Sequence, residues 1–330
     1  MAILTSVFHR HGLASEADIR KEAGHGMDSD KEGQGAGPDG PKAPAQSAGV
    51  ASSHVQVSMK PHEFATLSRF IHEQCGIKLP EAKRTMLEGR LNRRLRALGL
   101  KSFSEYADYL FSPQGTAQEL VPMIDLVTTN KTDFFREPDH FAYLREQVLP
   151  RWQAQYGNRP FKLWSAGCST GQEPYTLAMV LSEFAAVSPG FDFQILATDI
   201  STRVLEQASR AIYAEELLAP VPRPLFSKYL LRSKDRANKV VRIVPELRKK
   251  VTFRRLNLLD SDFGMNDAFD TIFCRNVIIY FNQETQAGLL RRFYSHLRKG
   301  AHIFMGHSET LNRLDVPLVT VAPTVYRKSP

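Results

Sequence analysis

The sequence predicts an α/β protein in which a parallel-sheet domain follows a smaller helical domain. Residues 161–179 contain an apolar run, a turn of small residues and a helix-forming stretch, and residues 193–199 form a second apolar run that ends on an acidic residue. Together these segments predict a βαβ unit. From residue 60 to about residue 112 the apolar pattern is helical, without a strong strand signal. Because the chain of 330 residues exceeds the usual single domain, more than one domain is expected.

The composition indicates a protein of a reducing compartment. The hydrophobic content of 42% supports a sizeable core, and Cys75, Cys168 and Cys274 lie far apart without metal-ligand spacing. This argues against a disulfide framework and against a zinc site, and no metal is expected. No apolar run reaches the roughly 18 residues that a membrane span needs, and residues 1–8 are too short for a secretory signal. We therefore expect a soluble, cytoplasmic protein without membrane insertion.

Residues 1–58 differ from the rest of the chain. Residues 33–53 are rich in Gly, Ala, Pro, Ser and Gln and have no sustained apolar period, which predicts a disordered N-terminal tail. The tail holds 5 basic and 7 acidic residues, so the remaining chain has a net charge of +10 against +8 overall. The part of the chain that is expected to fold is therefore the basic part.

The helical domain is assigned to residues 59–127. Its most informative segment is a helix from about Glu81 to Leu98, in which Leu87, Leu91 and Leu95 continue one apolar stripe. Residues 83–101 contain seven basic residues against a single acidic one. Such a helix could meet nucleic acid phosphates, an anionic membrane surface or an acidic protein helix, or it could be a solvated surface. Charge alone does not choose among these possibilities.

The turn after the first apolar run has the features of a ligand loop. Gly167 and Gly171 let the backbone approach a ligand without an intervening Cβ, and the helix that opens near Glu173 and Pro174 presents unpaired N–H groups. The loop lacks the G-x-G-x-x-G spacing of dinucleotide sites, and the Glu173 carboxylate would repel a diphosphate. Asp199, at the end of the second strand, is placed to accept hydrogen bonds from ribose hydroxyls, with a loop or capping role as the alternative.

Two later strands are expected to end at the same edge of the sheet. Residues 251–259 predict a third strand that ends at Asn257, and residues 269–274 predict a fourth that leads into Arg275 and Asn276. Polar residues at these positions could line a ligand site, although they are also common at strand ends without one.

An insertion separates the second and third strands. Residues 214–250 exceed what a crossover with one helix needs. Within and after the insertion, residues 240–244 and 250–253 predict a small antiparallel appendage.

Four separated blocks of sequence carry a family resemblance. They are residues 128–137 (TTNKTDFFRE), 166–175 (AGCSTGQEPY), 197–199 (ATD) and 274–281 (CRNVIIYF), with 306–309 (GHSE) as a weaker fifth. In order and spacing they resemble the chemotaxis receptor methyltransferases, the CheR family, which transfer a methyl group from S-adenosylmethionine to glutamate side chains of chemoreceptors. The resemblance covers roughly residues 59–328.

The resemblance implies a fold and a domain organisation. The fold is a class I methyltransferase (Rossmann-like) sheet domain with an N-terminal all-α domain and a small inserted antiparallel β-subdomain. The domains are a helical domain at 59–127, a linker and first helix of the catalytic domain at 128–160, the catalytic domain at 161–330, and the inserted β-subdomain at about 214–250.

The resemblance also implies a cofactor, a partner and site residues. The cofactor is S-adenosyl-L-methionine, with S-adenosyl-L-homocysteine as its product, and the partner is the cytoplasmic helices of a chemoreceptor. The implied cofactor-binding residues are Asn130, Thr132, Arg136, Gly167, Glu173, Asp199, Asn257, Leu258, Arg275 and Asn276. Arg136 and Tyr280 are expected to act at the transfer point, the first by orienting the carboxylate and the second by bordering the methyl group. Arg90, Arg93 and Arg94 are expected to dock the receptor.

Departures from the family pattern and rival functions complete the sequence analysis. Members that bind a receptor's C-terminal tether peptide have a glycine-rich turn in the β-subdomain, whereas residues 233–239 contain no glycine, so tether binding is expected to be weak or absent. A nucleic-acid methyltransferase of the same fold is an alternative, but residues 274–277 (CRNV) differ from the Asn/Asp-Pro-Pro-Tyr/Phe motif of amine methylation, and no nucleic acid is expected. A non-catalytic adaptor that binds the donor also stays open.

Overall fold

The computed structural model of the protein describes residues 56–157, 159–235, 237–266, 268–311 and 314–329. Apart from residues 56–58, the expected N-terminal tail lies outside the described residues. None of the described helices combines the length and the apolar character that a membrane crossing requires.

The residues before the sheet are helical, as the sequence predicts. The predicted helix at 81–98 is present, and its first turn, Glu81–Lys83, is a 3-10 turn. Serine side chains cap two of the neighbouring helices: Ser102 accepts a hydrogen bond from the N–H of Glu105, and Ser112 accepts one from Gly115. The helices of this part of the chain are α1 Pro61–Cys75, α2 Arg84–Leu98, α3 Phe103–Phe111, α4 Pro113–Val127, α5 Pro138–Tyr143 and α6 Leu149–Tyr156.

The helical domain is held together by an apolar stripe and by one buried ion pair. Leu87, Leu91 and Leu95 of α2 are buried, which is the stripe that the sequence indicates. Arg94 lies beside this stripe and donates from Nε and Nη2 to the two carboxylate oxygens of Glu119 on α4, at 2.8 and 2.6 Å. This bidentate ion pair joins α2 to α4.

The sheet domain, which follows the helical domain, is built on a large, mostly parallel sheet. In the described part of the chain, the strand order of this seven-stranded sheet is β6-β2-β1-β7-β8-β10-β9. The pairs from β6 to β8 are parallel, whereas β10 pairs with both β8 and β9 in an antiparallel way. The strands of this sheet are β1 Phe161–Ala166, β2 Phe193–Asp199, β6 Val251–Arg255, β7 Phe269–Cys274, β8 Leu297–Met305, β9 Leu318–Ala322 and β10 Val325–Lys328.

Helices cover both faces of this sheet. Alternate residues of β1 enter two separate apolar clusters, Leu163 on one face and Trp164 on the other. The chain runs outward from β1 to β2 and β6 on one side, and from β7 to β8 on the other, so the strand order reverses between β1 and β7. Ligands of such sheets bind outside the carboxyl ends of the strands at this reversal. The helices of the sheet domain are α7 Gln172–Val187, α8 Thr202–Arg210, α9 Arg223–Tyr229, α10 Pro245–Arg248 and α11 Gln283–His296.

The insertion forms a small antiparallel sheet, as predicted, but with different members. Its strands are β3 Ile212–Ala214, β4 Leu230–Arg232 and β5 Val240–Ile243, in the order β3-β5-β4. The assignment of residues 250–253 to this appendage is wrong, whereas the third strand predicted within 251–259 is confirmed, because Val251–Arg255 is β6 and pairs in parallel with β2. The alternating pattern at 250–253 does not reveal which of the two sheets it joins, since the pairing partner is distant in sequence.

The helical domain packs against the carboxyl edge of the large sheet. The side-chain amide of Asn257, after β6, donates to the carbonyl of Gln74 in α1 at 2.8 Å. The N–H of Lys78 donates to the carbonyl of Tyr280 at 3.0 Å. Thr202, at the start of α8, donates to the carboxylate of Asp125 in α4 at 2.8 Å. Three contacts from three segments of the sheet domain therefore fix the helical domain over the ligand-binding edge.

We predict that replacing Arg94 by Met lowers the free energy of unfolding by about 2–3 kcal/mol. The Glu119 side chain is 1% exposed, and without Arg94 its charge would have the Tyr106 hydroxyl, at 2.9 Å, as its remaining side-chain partner. The matched control is Arg93→Met, on the same helix but exposed, which should change stability by less than about 0.5 kcal/mol. Urea unfolding measures both, and equal losses in the two variants would contradict the prediction.

Candidate active site

The site residues that the sequence indicates lie around one cavity. The cavity has a volume of about 260 Å³ and lies between the carboxyl ends of β1, β2, β6 and β7 and the helical domain. All of the cofactor residues expected from the sequence line it, as does Tyr280: Asn130, Thr132, Arg136, Gly167, Glu173, Asp199, Asn257, Leu258, Arg275 and Asn276.

The turn between β1 and α7 supplies the floor of the cavity. Gly167 has a φ of 85°, and a Cβ built on it would lie 2.4 Å from Cγ2 of Val277. Gly171 has a φ of 94°, and a Cβ there would lie 2.7 Å from the hydroxyl of Tyr213. Both positions therefore need glycine for two reasons, the left-handed backbone and the lack of space. At Gly167 the backbone itself, and not a side chain, therefore lines the cavity.

Asp199 ends β2 with its carboxylate at the cavity wall. The side chain is buried, and its two oxygens accept hydrogen bonds from the N–H groups of Ser169 at 2.8 Å and Ser201 at 3.0 Å. Burial raises the pKa of Asp199, and these backbone donors oppose the rise. An ionised carboxylate has about four lone-pair sites, so Asp199 keeps capacity for two further donors such as a pair of ribose hydroxyls.

Glu173 and Arg275 form a buried ion pair in the wall of the cavity. Glu173 accepts from the hydroxyl of Ser165 through Oε1 and from Nε of Arg275 through Oε2, both at 2.7 Å. Nη1 of Arg275 donates to the carbonyl of Arg136 at 2.7 Å. The guanidinium also lies over the ring of Phe141, 5.1 Å from its centre. This pair ties β1, α7, β7 and the linker to one point.

His140 lies next to this pair and is neutral at physiological pH. Burial, followed by the charge of Arg275, lowers the pKa of His140 to about 4. Its Nδ1 lies 3.2 Å from Nη1 of Arg275, which can only donate, so Nε2 carries the proton and faces the hydroxyl of Thr324 at 2.9 Å. His140 also has metal-ligand atoms of Glu137 and His307 within 4.8 Å. Because the Nδ1 lone pair already accepts from Arg275, this cluster is better described as a hydrogen-bonded support for the guanidinium.

The two residues expected at the transfer point face the cavity from different segments. Arg136 belongs to the linker, is half-buried, and donates from Nη1 to the carbonyl of Lys131 at 3.1 Å. Tyr280 ends the 3-10 turn Ile278–Tyr280 after β7 and is also half-buried. Both side chains can therefore contact a molecule bound in the cavity, Arg136 from the linker and Tyr280 from the loop after β7.

The three arginines expected to dock a partner have different environments. Nη1 of Arg90 donates to the carbonyls of Val127 at 2.7 Å and Thr128 at 3.1 Å, at the end of α4. Burial, and then the charge of Arg203, lowers the pKa of Arg90. Arg94 is engaged with Glu119, as described above. Arg93 is exposed, and within the described residues its guanidinium has no hydrogen-bond or ion-pair partner.

Sequence reasoning missed the contribution of the helical domain to the cavity. The loop after α1 and the start of α2 line it, with two lysines among apolar residues: Cys75, Ile77, Lys78, Leu79, Lys83 and Met86. No local pattern marks these residues, because they reach the cavity only through the packing of the two domains. The sequence feature nearest to these residues is Gly76, directly after α1. In the structure its backbone is left-handed, and a Cβ there would lie 2.9 Å from the ring of Phe281.

The residues around the cavity fit S-adenosylmethionine. This molecule consists of an adenosine, a sulfonium and a short amino-acid chain, and has no phosphate. Apolar side chains such as Ile200, Leu258 and Phe281 offer a wall for a base, and Asp199 offers an acceptor for ribose hydroxyls. A side chain at Gly167 would clash with Val277, so the backbone itself lines the cavity there. These residues therefore suit S-adenosylmethionine.

The sheet is Rossmann-like, with the antiparallel β10 between β8 and β9, and the cavity lies at its carboxyl edge. This combination defines the class I methyltransferases. Family comparison agrees: the CheR methyltransferase all-alpha domain matches residues 62–128, and the CheR methyltransferase SAM binding domain matches residues 130–326. The chain belongs to the CheR methyltransferase family. It is therefore a methyltransferase that uses S-adenosylmethionine, as the sequence motifs implied.

Curated relatives cover most of this chain and nearly all of their own length. The chain is 39% identical to the chemotaxis protein methyltransferase of Borreliella burgdorferi over 280 residues, which are 84% of this chain and 97% of the relative. It is 38% identical to that of Escherichia coli over 83% of this chain and 93% of the relative. It is 40% identical to chemotaxis protein methyltransferase 2 of Pseudomonas aeruginosa over 80% of this chain and 92% of the relative.

We predict that Gly167→Ala weakens binding of S-adenosylhomocysteine by at least about 10-fold, because the added methyl group would overlap Val277 at the cavity floor. The matched control is Gly190→Ala. Gly190 has a φ of 80° but nothing within 4 Å of its Cβ position, so it carries the same backbone cost, about 1–2 kcal/mol, without the clash. Calorimetric titration with S-adenosylhomocysteine measures both, and comparable affinities in the two variants would refute the expected role of Gly167.

Proposed function

We propose that the protein transfers the methyl group of S-adenosylmethionine to the side-chain carboxylate of specific glutamates on the cytoplasmic helices of a chemoreceptor. The product is a glutamyl methyl ester, which serves adaptation in chemotaxis or a related signalling pathway. The curated relatives, which are named chemotaxis protein methyltransferases, support the pathway. The observation that carries the choice of substrate is the charge of the residues around the cavity.

This lining is cationic and offers no free base. Among the described residues that line the cavity there is no histidine, and the two carboxylates, Glu173 and Asp199, already accept hydrogen bonds from the protein. Lys78, Lys83 and Lys131 also line it, and within the described part of the chain their amines have no carboxylate partner. The lining thus suits an anion that needs no deprotonation.

A glutamate side chain meets that requirement. Its reference pKa is about 4.3, so it is already an anionic nucleophile near neutral pH. An alcohol or a protonated amine would have to lose a proton to a base during transfer, and the lining supplies none that is free. This difference supports a carboxylate as the acceptor.

Residues of the sheet edge would hold the donor in this proposal. Bound S-adenosylmethionine supplies a methyl group made electrophilic by the sulfonium. Asp199 would accept from the ribose hydroxyls, and Asn257 with the backbone of Leu258 would face the adenine edge. The rest of the donor set would hold the amino-acid chain and the reacting region: Asn130, Thr132, Arg136, Gly167, Glu173, Arg275 and Asn276.

Positioning is the main catalytic task for this chain. Holding two reactants in line can account for roughly 7–11 kcal/mol of a barrier. In the proposal Arg136 orients the incoming carboxylate by charge-assisted hydrogen bonds, and Tyr280 borders the methyl group and fixes the direction of approach. The fork of a guanidinium matches the two oxygens of a carboxylate, which a lysine at the same position would not do.

The helical domain would dock the receptor helices. Arg93, Lys78 and Lys83 are exposed cations, and they suit an acidic helix that carries its glutamate to the cavity. Arg90 and Arg94 are engaged within the protein, so in this proposal they act mainly by holding α2 in place. No additional binding of a tether peptide is proposed, because residues 233–239, between β4 and β5, contain no glycine.

The test of the function is a transfer assay with a chemical signature. The purified protein is incubated with tritiated S-adenosylmethionine and a receptor cytoplasmic fragment, and the labelled receptor is then treated with base. We expect volatile methanol, which is diagnostic of a methyl ester. A base-stable label would contradict the carboxylate as acceptor, and binding of S-adenosylhomocysteine without any label would indicate an adaptor or a different substrate. The matched control is a receptor fragment with its acceptor glutamates replaced by alanine.

Variants should separate turnover from docking. We expect Arg136→Ala to lower kcat by about 100-fold and Tyr280→Phe by about 10-fold, since each removes one oriented contact at the transfer point. Arg93→Ala should instead raise the KM for the receptor with little change in kcat. Steady-state kinetics at saturating donor measure both parameters. Wild-type kcat in Arg136→Ala and Tyr280→Phe, with normal donor affinity, would show these two assignments to be wrong.

A further inference from the structure

The weakest of the sequence blocks, residues 306–309, contains a buried carboxylate that does not line the cavity. Glu309, in the segment that follows β8, is 3% exposed, and within the described residues it has no cationic partner. It accepts four backbone hydrogen bonds instead. Oε2 accepts from the N–H of Asn276 and of Gly306, both at 2.7 Å, and Oε1 accepts from the N–H of Val277 at 2.8 Å and of Ile279 at 3.3 Å.

Three of these four donors belong to the loop that leaves β7. Asn276 and Val277 precede the 3-10 turn Ile278–Tyr280, and Ile279 lies in its first residues, whose N–H groups have no acceptor within the turn. It also includes Asn276 in the left-handed region, with a φ of 59°, a conformation that persists only when its surroundings hold it. The carboxylate of Glu309 is the contact that satisfies these donors and holds this conformation.

The approach of the two segments is close enough to require a glycine. A Cβ on Gly306 would lie 2.6 Å from Nδ2 of Asn276, 2.9 Å from its backbone nitrogen and 2.9 Å from Oε2 of Glu309. Gly306 therefore lets the Glu309 side chain and the β7 loop meet directly. Gly306 and Glu309, the first and last residues of the block 306–309, therefore both take part in the contact with the loop after β7.

Two residues of the proposed reaction site are carried by this loop. Asn276 lines the cavity at its start and Tyr280 lines it at its end, with Val277 between them beside Gly167. The loop leaves the end of β7, and Glu309 contacts it from the segment that follows β8, the strand that pairs in parallel with β7. A shift of the loop would move both side chains together.

We propose that Glu309 is a positioning residue for methyl transfer, which holds Asn276 and Tyr280 in their reactive places through four backbone hydrogen bonds. The inference rests on the proposed function for its effect on turnover, but its structural part does not. Glu309 itself does not line the cavity and touches neither donor nor acceptor. Its role lies in the geometry of the loop.

The ionised carboxylate is the group that this arrangement needs. A carboxylate is an acceptor at both oxygens, whereas the carboxamide of glutamine has one oxygen and an NH₂ group that would face two of the N–H donors. An N–H left without an acceptor in a buried place is destabilising, and the loop would relieve this by moving. Burial raises the pKa of Glu309, and the four backbone amides oppose that rise.

The experiment compares Glu309→Gln with Glu119→Gln. Glu119 is an equally buried carboxylate in the helical domain that bonds Arg94 and Tyr106, so its variant removes the same charge away from the cavity. We expect Glu309→Gln to lower kcat by about 100-fold, the loss typical of a reacting group displaced by about 1 Å, with the receptor KM within about 3-fold. The amides of Asn276, Val277 and Ile279 should lose hydrogen-exchange protection, while those of β7 keep it. Glu119→Gln should change neither kcat nor the protection of these amides.

A second variant covers the case in which Glu309→Gln folds poorly. Gly306→Ala keeps the carboxylate but inserts a methyl group at the contact, and it should give the same loss of kcat and of amide protection. Retention of kcat within about 3-fold in Glu309→Gln, or equal losses in Glu119→Gln, would overturn the proposal. If the wild-type protein does not methylate the receptor, the proposed function fails. Amide exchange and the affinity for S-adenosylhomocysteine, expected to fall about 10-fold in Glu309→Gln, then still decide the role of Glu309.

Discussion

The buried pair between Glu173 and Arg275 is the interaction on which the rest of the site depends. Glu173 comes from the helix after β1 and Arg275 from the end of β7, the two strands between which the strand order reverses. Arg275 also holds the backbone of Arg136 and the neutral ring of His140. Breaking such a pair by removing one partner leaves an uncompensated buried charge, at a cost of about 3–5 kcal/mol. One ion pair thus fixes the sheet edge and the linker relative to each other.

The charged groups around this pair form two sets, buried anions and exposed cations. The buried carboxylates of Glu173, Asp199 and Glu309 accept hydrogen bonds from protein donors, and in the proposed function none of them serves as a base. The cations Lys78 and Lys83 of the helical domain stay exposed at its rim. A carboxylate acceptor needs orientation and not deprotonation, and a lining whose anions are hydrogen-bonded within the protein while these lysines are exposed is consistent with that demand.

The sequence allowed the sheet-edge half of the site to be predicted, but not the half supplied by the helical domain. Gly167, Asp199 and Arg275 follow apolar runs, and parallel strands bring such positions to one edge, so their proximity follows from the pattern. Lys78 and Met86 belong to a domain whose local pattern reports only its own packing. Residues 250–253 were predicted both in the third strand of the large sheet, which is correct, and in the appendage, which is wrong, because a short alternating run does not identify its partner strand.

The sequence by itself determined the α/β class, the family and most of the sheet-edge residues that line the cavity, because periodicity, glycine spacing and family motifs are local properties of the chain. The tertiary structure decided which charges are free and which are engaged. It assigned Arg94 to Glu119 and left Arg93 exposed, although both lie on one basic helix. It also joined Glu309 to the loop after β7, more than thirty residues away in the chain. Partners of this kind are fixed by packing, since a side chain's burial and hydrogen bonds depend on elements that are distant in sequence.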